Sequence, residues 1–332
     1  MAMWRRQPES IENRMEVLDL RHFSSSNLRP LLEEEISVWS QLLAWDYRSS
    51  AEMILRYVDA KILPGYAVTV KGSIVGYTFF VYEGNKGVIG DLFVSEDRRL
   101  TAGLDINQAE STLLAHVIET LQQSPGIHRV EAQLLAHDSG SVSQPFLAQH
   151  FRQHPRLFMV LPLNSPKVGC NGRVPSEVEL RAWNDSDYQS VATVITAAYH
   201  DHVDAEINDQ YRSVAGALRF LNNIVRFPGC GTFDANSSFV AVHRDTGAVI
   251  GTILCSRVKE DVGHVTQVCL MPQYRGFGIG EAMLNATSAS LASRDFSLLT
   301  LTVTEANASA VGVYKKLGYE VNRAFDAFVW EG

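Results

Sequence analysis

Two long stretches of this chain run through the same succession of local patterns, and that repetition constrains the fold more than any single motif does. Each stretch opens on a short apolar strand, Met15–Leu20 in one and Val178–Trp183 in the other, followed by an extended run of helical periodicity. A β-hairpin comes next in both, with alternating apolar residues around Lys71-Gly72-Ser73 or Asp245-Thr246-Gly247. A third strand (Val88–Val94 or His264–Met271) precedes a helix, and a fourth follows (His128–Ala136 or Leu298–Thr304). A short helix and a last strand, Arg156–Leu163 or Phe325–Trp330, close each half. Between the halves, Asn164–Glu177 reads NSPKVGCNGRVPSE, which is linker composition. The expected class is α+β: two tandem domains, 15–165 and 177–332, each a mixed, mostly antiparallel sheet flanked by helices.

Bulk properties narrow the partners. A formal net charge of −8 and the lack of any Lys/Arg run argue against nucleic acid. No apolar stretch approaches the roughly 20 residues that span a bilayer, so no membrane partner is expected. The N-terminal MAMWRRQPESIENR has no apolar run behind its arginines and reads as a disordered lead rather than a secretory signal. Cys170, Cys230, Cys255 and Cys269 form no C-x-x-C pair and read as isolated thiols of a reducing cytoplasm, without a disulfide framework or metal site. Nothing in the composition sets the oligomeric state.

The chemistry gathers in the second half. Gln273–Gly280, QYRGFGIG, lies between the strand Val265–Met271 and the helical run Gly280–Ser293. Glycines at 276, 278 and 280 leave bare backbone N–H groups at a helix N-terminus, an anion site suited to a pyrophosphate, with Arg275 adding charge. A second signal, Asn307–Tyr319, is a short helix that buries Ala310, Val313 and Leu317. Tyr314 sits at the edge of that face, and Gly318 ends the helix.

Residues 265–319 resemble the core of the GNAT N-acetyltransferase superfamily. That family has a strand, then Q/R-x-x-G-x-G/A, then a helix, matched here by Arg275, Gly276, Phe277, Gly278, Ile279 and Gly280. Its downstream N-x-x-A-x-x-L-Y-x-K-x-G-F/Y is matched by Asn307, Ala310, Val313, Tyr314, Lys316, Gly318 and Tyr319. The resemblance implies an acetyl-CoA-dependent N-acetyltransferase (an acyltransferase of the EC 2.3.1 type). Its acceptor would be a small-molecule or peptide amine, attacking directly. The amides of Arg275 to Gly280 would hold the CoA pyrophosphate. The strand Val268, Cys269, Leu270 would splay from its neighbour to pair with pantetheine and polarise the thioester carbonyl. Asn307 would bind the cofactor arm, and Tyr314 would protonate the departing thiolate as general acid.

The chain departs from the family over the general base. Many relatives carry a Glu on the strand before the Gly turn; here Thr266 and Gln267 stand nearby, and neither titrates. His264, Glu260, Asp261, Glu305 and a water relay through Thr266 or Gln267 all remain open. His264 is the one whose side chain ordinarily titrates near neutrality. Ala197–Tyr211 falls where relatives place substrate-facing helices, and Asp201, Asp204, Glu206 and Tyr199 there suggest an acidic lip. His200 and His202, two apart, do not share a helix face, which argues against a metal site.

In the first half, Arg98, Arg99, Leu100 and the lone Gly103 replace the glycine turn, and Phe146 falls near the tyrosine position. That half reads as a degenerate repeat, structural or walling the substrate cleft. A dinucleotide site is the main rival, opposed by the five residues Met271–Arg275 where its turn must be tight. A non-catalytic acyl-CoA sensor or interaction module is the rival of another class.

Overall fold

The computed structural model describes residues 15–97, 101, 103–164, 174–226 and 231–332. The N-terminal lead, Arg98, Arg99, Leu100, Cys170, Cys230 and most of the linker lie outside the described residues.

The first half runs β1 (Glu16–Asp19), α1 (Ser25–Leu43), α2 (Arg48–Asp59), β2 (Gly65–Val70), β3 (Ser73–Glu83), β4 (Lys86–Val94), α3 (Ile106–Gln123), β5 (Arg129–Gln133), α4 (Ser143–Ala148) and β6 (Arg152–Pro162). The second runs β7 (Val178–Ala182), α5 (Tyr188–Ala198), α6 (Val203–Ile207), α7 (Val214–Arg226), β8 (Thr232–Phe233), β9 (Phe239–His243), β10 (Val249–Lys259), β11 (Val262–Leu270), α8 (Ile279–Ala292), β12 (Leu298–Thr304), α9 (Ala308–Leu317) and β13 (Glu320–Glu331). Both hairpins form where the sequence places them. Lys71 and Gly72 take φ of 52° and 78°, the pair of positive values that matches strand twist in a two-residue turn.

Amphipathic faces explain the layering. In the first half, Leu28, Leu32, Leu55 and Val58 of α1 and α2 pack on Ala67 and Tyr77, covering one face of the sheet. Leu113, Val117 and Leu121 of α3 pack on Val68, Ile89 and Val130, covering the other. In the second half α5 and α7 supply one layer through Val191, Ile195 and Leu221. There α8 and α9 supply the other through Met283, Leu284 and Tyr314.

The last strand of each half is where the structure departs from a simple repeat. The sheet order is β1-β2-β3-β4-β5-β13-β6-β12-β11-β10-β9-β7, with β8 also on β10. So β6, from the first half, lies against β12 (Phe158 opposite Thr302), while the C-terminal β13 lies against β5 (Val329 opposite Glu131). The two strands are exchanged, and they pair with each other in the middle. Their side chains go with them. Leu157, Met159 and Leu161 of β6 are buried in the second-half core. Phe328 of β13 is buried in the first-half core, stacked on Phe146 with ring centroids 4.0 Å apart. Periodicity sees that a strand is apolar on one face but not which sheet edge it joins, and the two edges here are near copies.

An aromatic joint closes the seam. Trp39, Leu43, Phe158 and Phe325 are buried together, with Trp45 and Tyr47 against them. The Asp46 N–H donates to the Val258 carbonyl at 2.8 Å, tying the α1–α2 connection to β10.

Candidate active site

The site begins as a defect in strand pairing. On β11, Gln267 faces Leu254 and Val265 faces Cys255, so Thr266 is an extra residue and forms a bulge. On the other side, β11 and β12 pair in parallel only from Val262/Leu298 to Val265/Leu301. Beyond the bulge they part, although β11 runs to Leu270 and β12 to Thr304. The β12-facing backbone edge of residues 267–270 therefore has no strand partner and must find its hydrogen bonds elsewhere.

The glycine turn lies at the open end. Gly276 and Gly278 have φ of 84° and 79°, a left-handed backbone that favours glycine. The first internal bond of α8 runs from Ala282 N–H to Gly278 O, so the amides before it are free, as at any helix N-terminus. A Cβ built on Gly276 would meet no protein atom within 4 Å, and one on Gly280 only Leu270 Cδ1 at 3.6 Å. The space in front of the turn belongs to no other part of the protein. Two details differ from the sequence-based expectation. The Arg275 amide already donates to Pro272 O, so the free nest starts at Gly276. The Arg275 guanidinium donates to Ala198 O, capping the C-terminus of α5 instead of standing free at the mouth. Phe277 is 62% exposed and is not among the residues that line the cleft.

From the turn a cleft of about 520 Å³ runs along the opened strand. Val268, Cys269, Leu270, Arg275, Gly276, Gly278, Ile279, Gly280, Asn307 and Tyr314 line it, with Tyr199 and His202 from the α5–α6 connection. Asn307 caps α9, its Oδ1 accepting from Ala310 N–H at 3.2 Å, and its Nδ2 lies 3.4 Å from His202 Nε2. Behind the cleft is a second, more polar cavity of about 210 Å³. Tyr199, Val268, Asn307, Ala310 and Tyr314 line both. Burial pushes the Tyr314 phenol well above its ordinary range, the Asp204 carboxylate adds to the rise and Arg156 opposes it. The hydroxyl therefore keeps its proton at neutral pH.

His264 is not brought to either cavity. It is 5% exposed, with Trp45 edge-on at 4.9 Å, and its Nδ1 is 2.8 Å from Thr300 Oγ1. Burial, with a smaller push from Arg156, takes its pKa down to about 3. A ring sealed in the aromatic joint has no path to an amine. Of the other open candidates, Glu260 lines a groove between the halves, Asp261 accepts from Ser297, and Glu305 is exposed. Of the acidic lip, only Tyr199 and Asp204 line the cavities; Asp201 is 89% exposed beside His200.

Three threonines alternate along one face of β12, and two of them, Thr302 and Thr304, hold groups that line the second cavity. Thr300 bonds His264, Thr302 accepts from Arg156 Nη2 at 3.5 Å, and Thr304 donates to Asp204 Oδ1. Sequence reasoning missed Arg156 and Gln133, which belong to the first half: Arg156 arrives on the exchanged strand β6, and Gln133 ends β5, on the far side of β13. His202, weighed from the sequence only as a metal ligand, lines the cleft beside Asn307.

The first half repeats the defect and fills it. There β4 and β5 pair only from Lys86/Arg129 to Ile89/Ala132, with β4 continuing to Val94. The His137 imidazole enters the gap, its Nε2 2.8 Å from Leu92 O, with Glu110 3.6 Å from its Nδ1.

Comparison with known proteins gives a family match in the second half and a fold match over most of the chain. Residues 195–319 match the acetyltransferase (GNAT) family. Over nearly the whole chain the fold is that of solved tandem GNAT structures. Among solved structures it is similar to a GCN5-related N-acetyltransferase from Sphaerobacter thermophilus, at 18% identity and TM-score 0.60, over 89% of this chain and 91% of that one. It is also similar to a tandem GNAT protein from the clavulanic acid biosynthesis pathway, at 16% identity and TM-score 0.58, over 96% and 98%. The matched segment, residues 195–319, contains the strand opening, the glycine turn and Tyr314.

Proposed function

We propose that the protein is an N-acetyltransferase that moves an acetyl group from acetyl-CoA to a primary amine by direct attack, using the second half as its single working site. The observation that carries this is the meeting of two cavities at Tyr314. One is a long cleft ending at the glycine turn, and the other a small polar chamber. The residues fit the co-substrate. Free amides from Gly276 onward suit the pyrophosphate, and the unpaired edge of residues 267–270 suits the amides of a pantetheine arm. Acetyl-CoA supplies the acyl group and a thiolate leaving group.

The chain's own groups handle the protons. Asp204, the one carboxylate among the described residues lining the polar chamber, takes the proton that the amine loses as the C–N bond forms. Tyr314 donates its proton to the sulfur as the C–S bond breaks and recovers one from solvent. Unpaired β11 amides stabilise the developing oxyanion. His264 has no part in this scheme, because its imidazole is sealed away. The first half is a scaffold that closes the acceptor chamber, since His137 occupies its own strand opening.

A second reading, a non-catalytic acyl-CoA-binding module, draws support from Thr266 and Gln267, neither of which titrates, standing near where many relatives carry a glutamate. Thiol release from acetyl-CoA over a panel of amines, with the acetylated product weighed by mass spectrometry, separates the two. Calorimetric binding of acetyl-CoA without release on any amine supports the sensor and defeats the enzyme.

A further inference from the structure

We propose that the acceptor is a compact amino acid, an amine that also carries a carboxylate, with the carboxylate held by Arg156 and Gln267 in the chamber behind Tyr314. This rests on the acetyl-transfer reading and narrows its substrate class.

Two buried donors on the walls of this one chamber have no partner. Arg156 Nε and Gln267 Nε2 are both shut off from solvent and make no hydrogen bond. Gln267 is already oriented, because its Oε1 accepts from the Tyr199 hydroxyl at 3.1 Å, which leaves its amide NH₂ to face a ligand acceptor. The Arg156 guanidinium is oriented as well. Its Nη1 donates to Gln133 Oε1 at 3.1 Å, and its Nη2 makes only the 3.5 Å contact with Thr302. The open edge is therefore Nε with Nη2. That is the edge with which Arg21 grips Asp19 and Arg48 grips Asp46 in this same chain, Nε to one carboxylate oxygen and Nη2 to the other. Bidentate pairing of this kind is what a guanidinium fork offers a carboxylate. Among the described residues Arg156 has no acidic partner, whereas Lys86 and Arg129 nearby are fully engaged with carboxylates.

The opposite charge is also present. Asp204 lines the same chamber, anchored by Thr304, and suits the ammonium end of a zwitterion. At about 210 Å³ the chamber has room for a small acceptor and none for a folded partner. Arg156 and Gln133 come from the first half, so the exchanged strand supplies the recognition of a substrate that the second half acetylates.

The test uses the full chain, acetyl-CoA and matched acceptor pairs that differ by a carboxylate: glycine with methylamine, β-alanine with ethylamine, γ-aminobutyrate with propylamine, plus aminomethylphosphonate. CoA-thiol release is expected to show kcat/KM at least ~100-fold higher for one amino acid than for its matched amine, in line with the loss when a site's polar groups go unpaired. Arg156→Met should collapse that ratio below tenfold by raising KM, and Arg156→Lys should give an intermediate ratio, since a point charge lacks the fork. Matched amines turned over as well as the amino acids would overturn the carboxylate site while leaving acetyl transfer standing. So would an undiminished ratio in Arg156→Met, or preference for the phosphonate. Absence of calorimetric acetyl-CoA binding would overturn acetyl transfer itself, and this inference with it.

Discussion

Lys86 Nζ lies 2.7 Å from Asp209 Oδ1, joining a strand of the first half to the segment that walls the acceptor chamber in the second. The lysine is 4% exposed and also meets Glu131 at 3.0 Å and Glu83 at 3.2 Å. Arg129 extends the network, bonding Glu131 and Glu331 and donating to the backbone carbonyls of Glu206 and Ile207. The α6 segment that carries Asp204 is thus held from the first half by buried charge. Removing one partner of a buried pair strands the others, so Lys86→Met should lower stability by about 3 kcal/mol. It should also raise the acceptor KM, because the α6 wall loses its anchor. Adding Glu131→Leu should lower the stability further, because the buried Arg129 and the Asp209 N–H then lose the same carboxylate. Urea melts of the single and double variants check this, and equal stability of Lys86→Met and wild type would show the network to be idle.

Tyr314→Phe removes one hydroxyl where the two cavities meet. As the positioned acid, Tyr314 should be worth about tenfold to 10⁴-fold in kcat, with acetyl-CoA affinity unchanged. Single-turnover kinetics beside calorimetry isolate the step. A variant with full turnover would pass the proton donation to solvent.

Gly280 offers a test of the phosphate nest that runs against stability. It is the second residue of α8, with no left-handed φ, and a Cβ there makes only an ordinary contact with Leu270. Alanine is favoured over glycine in a helix by up to about 1 kcal/mol. Gly280→Ala should therefore keep or raise Tm. If a phosphate approaches the turn, the same methyl should weaken acetyl-CoA binding by tenfold or more. A raised Tm with an unchanged Kd would place the ligand elsewhere.

The site was legible where it is local and continuous in sequence. Gly276, Gly278 and Gly280 announce themselves because an exposed backbone turn needs residues without side chains, and Tyr314 and Asn307 sit in one short helix signal. Arg156 was not legible, because its importance depends on which sheet edge β6 joins, and the apolar alternation of β6 is equally suited to either. His264 was misleading for a related reason. Its residue type suits catalysis, but the aromatic lid over it comes from Trp45 and Phe158, each more than 100 positions away in the chain.

That burial gives His264 a pH signature. Its pKa falls from the usual 6.5 to about 3 in the folded protein, so the folded state refuses a proton that the unfolded chain accepts. The contribution to stability is complete above about pH 6.5 and is lost as pH falls toward 3, at a slope of about 1.4 kcal/mol per pH unit inside that window. His264→Gln should be less stable at pH 7 yet show a shallower loss between pH 6 and pH 4. Chemical melts across that range decide it, and parallel slopes for the two proteins would mean that the ring is reached by water.

The exchanged strands predict damage in the wrong half. Phe328 belongs to the C-terminal strand, but its ring lies in the first-half core against Phe146, with Leu113, Leu114 and Val117 of α3 in the same cluster. Phe328→Ala should cost about 3–5 kcal/mol through the lost burial and the cavity left behind. In hydrogen exchange the loss of protection should appear first in α3 and β5, some 200 residues upstream, and not in α8 or α9 beside it in sequence. Acetyl-CoA binding at the glycine turn should survive at temperatures where the first half is still folded. Deprotection confined to α8 and α9 would mean that β13 stays with its own half in solution, and the route by which Arg156 reaches the acceptor chamber would fall with it.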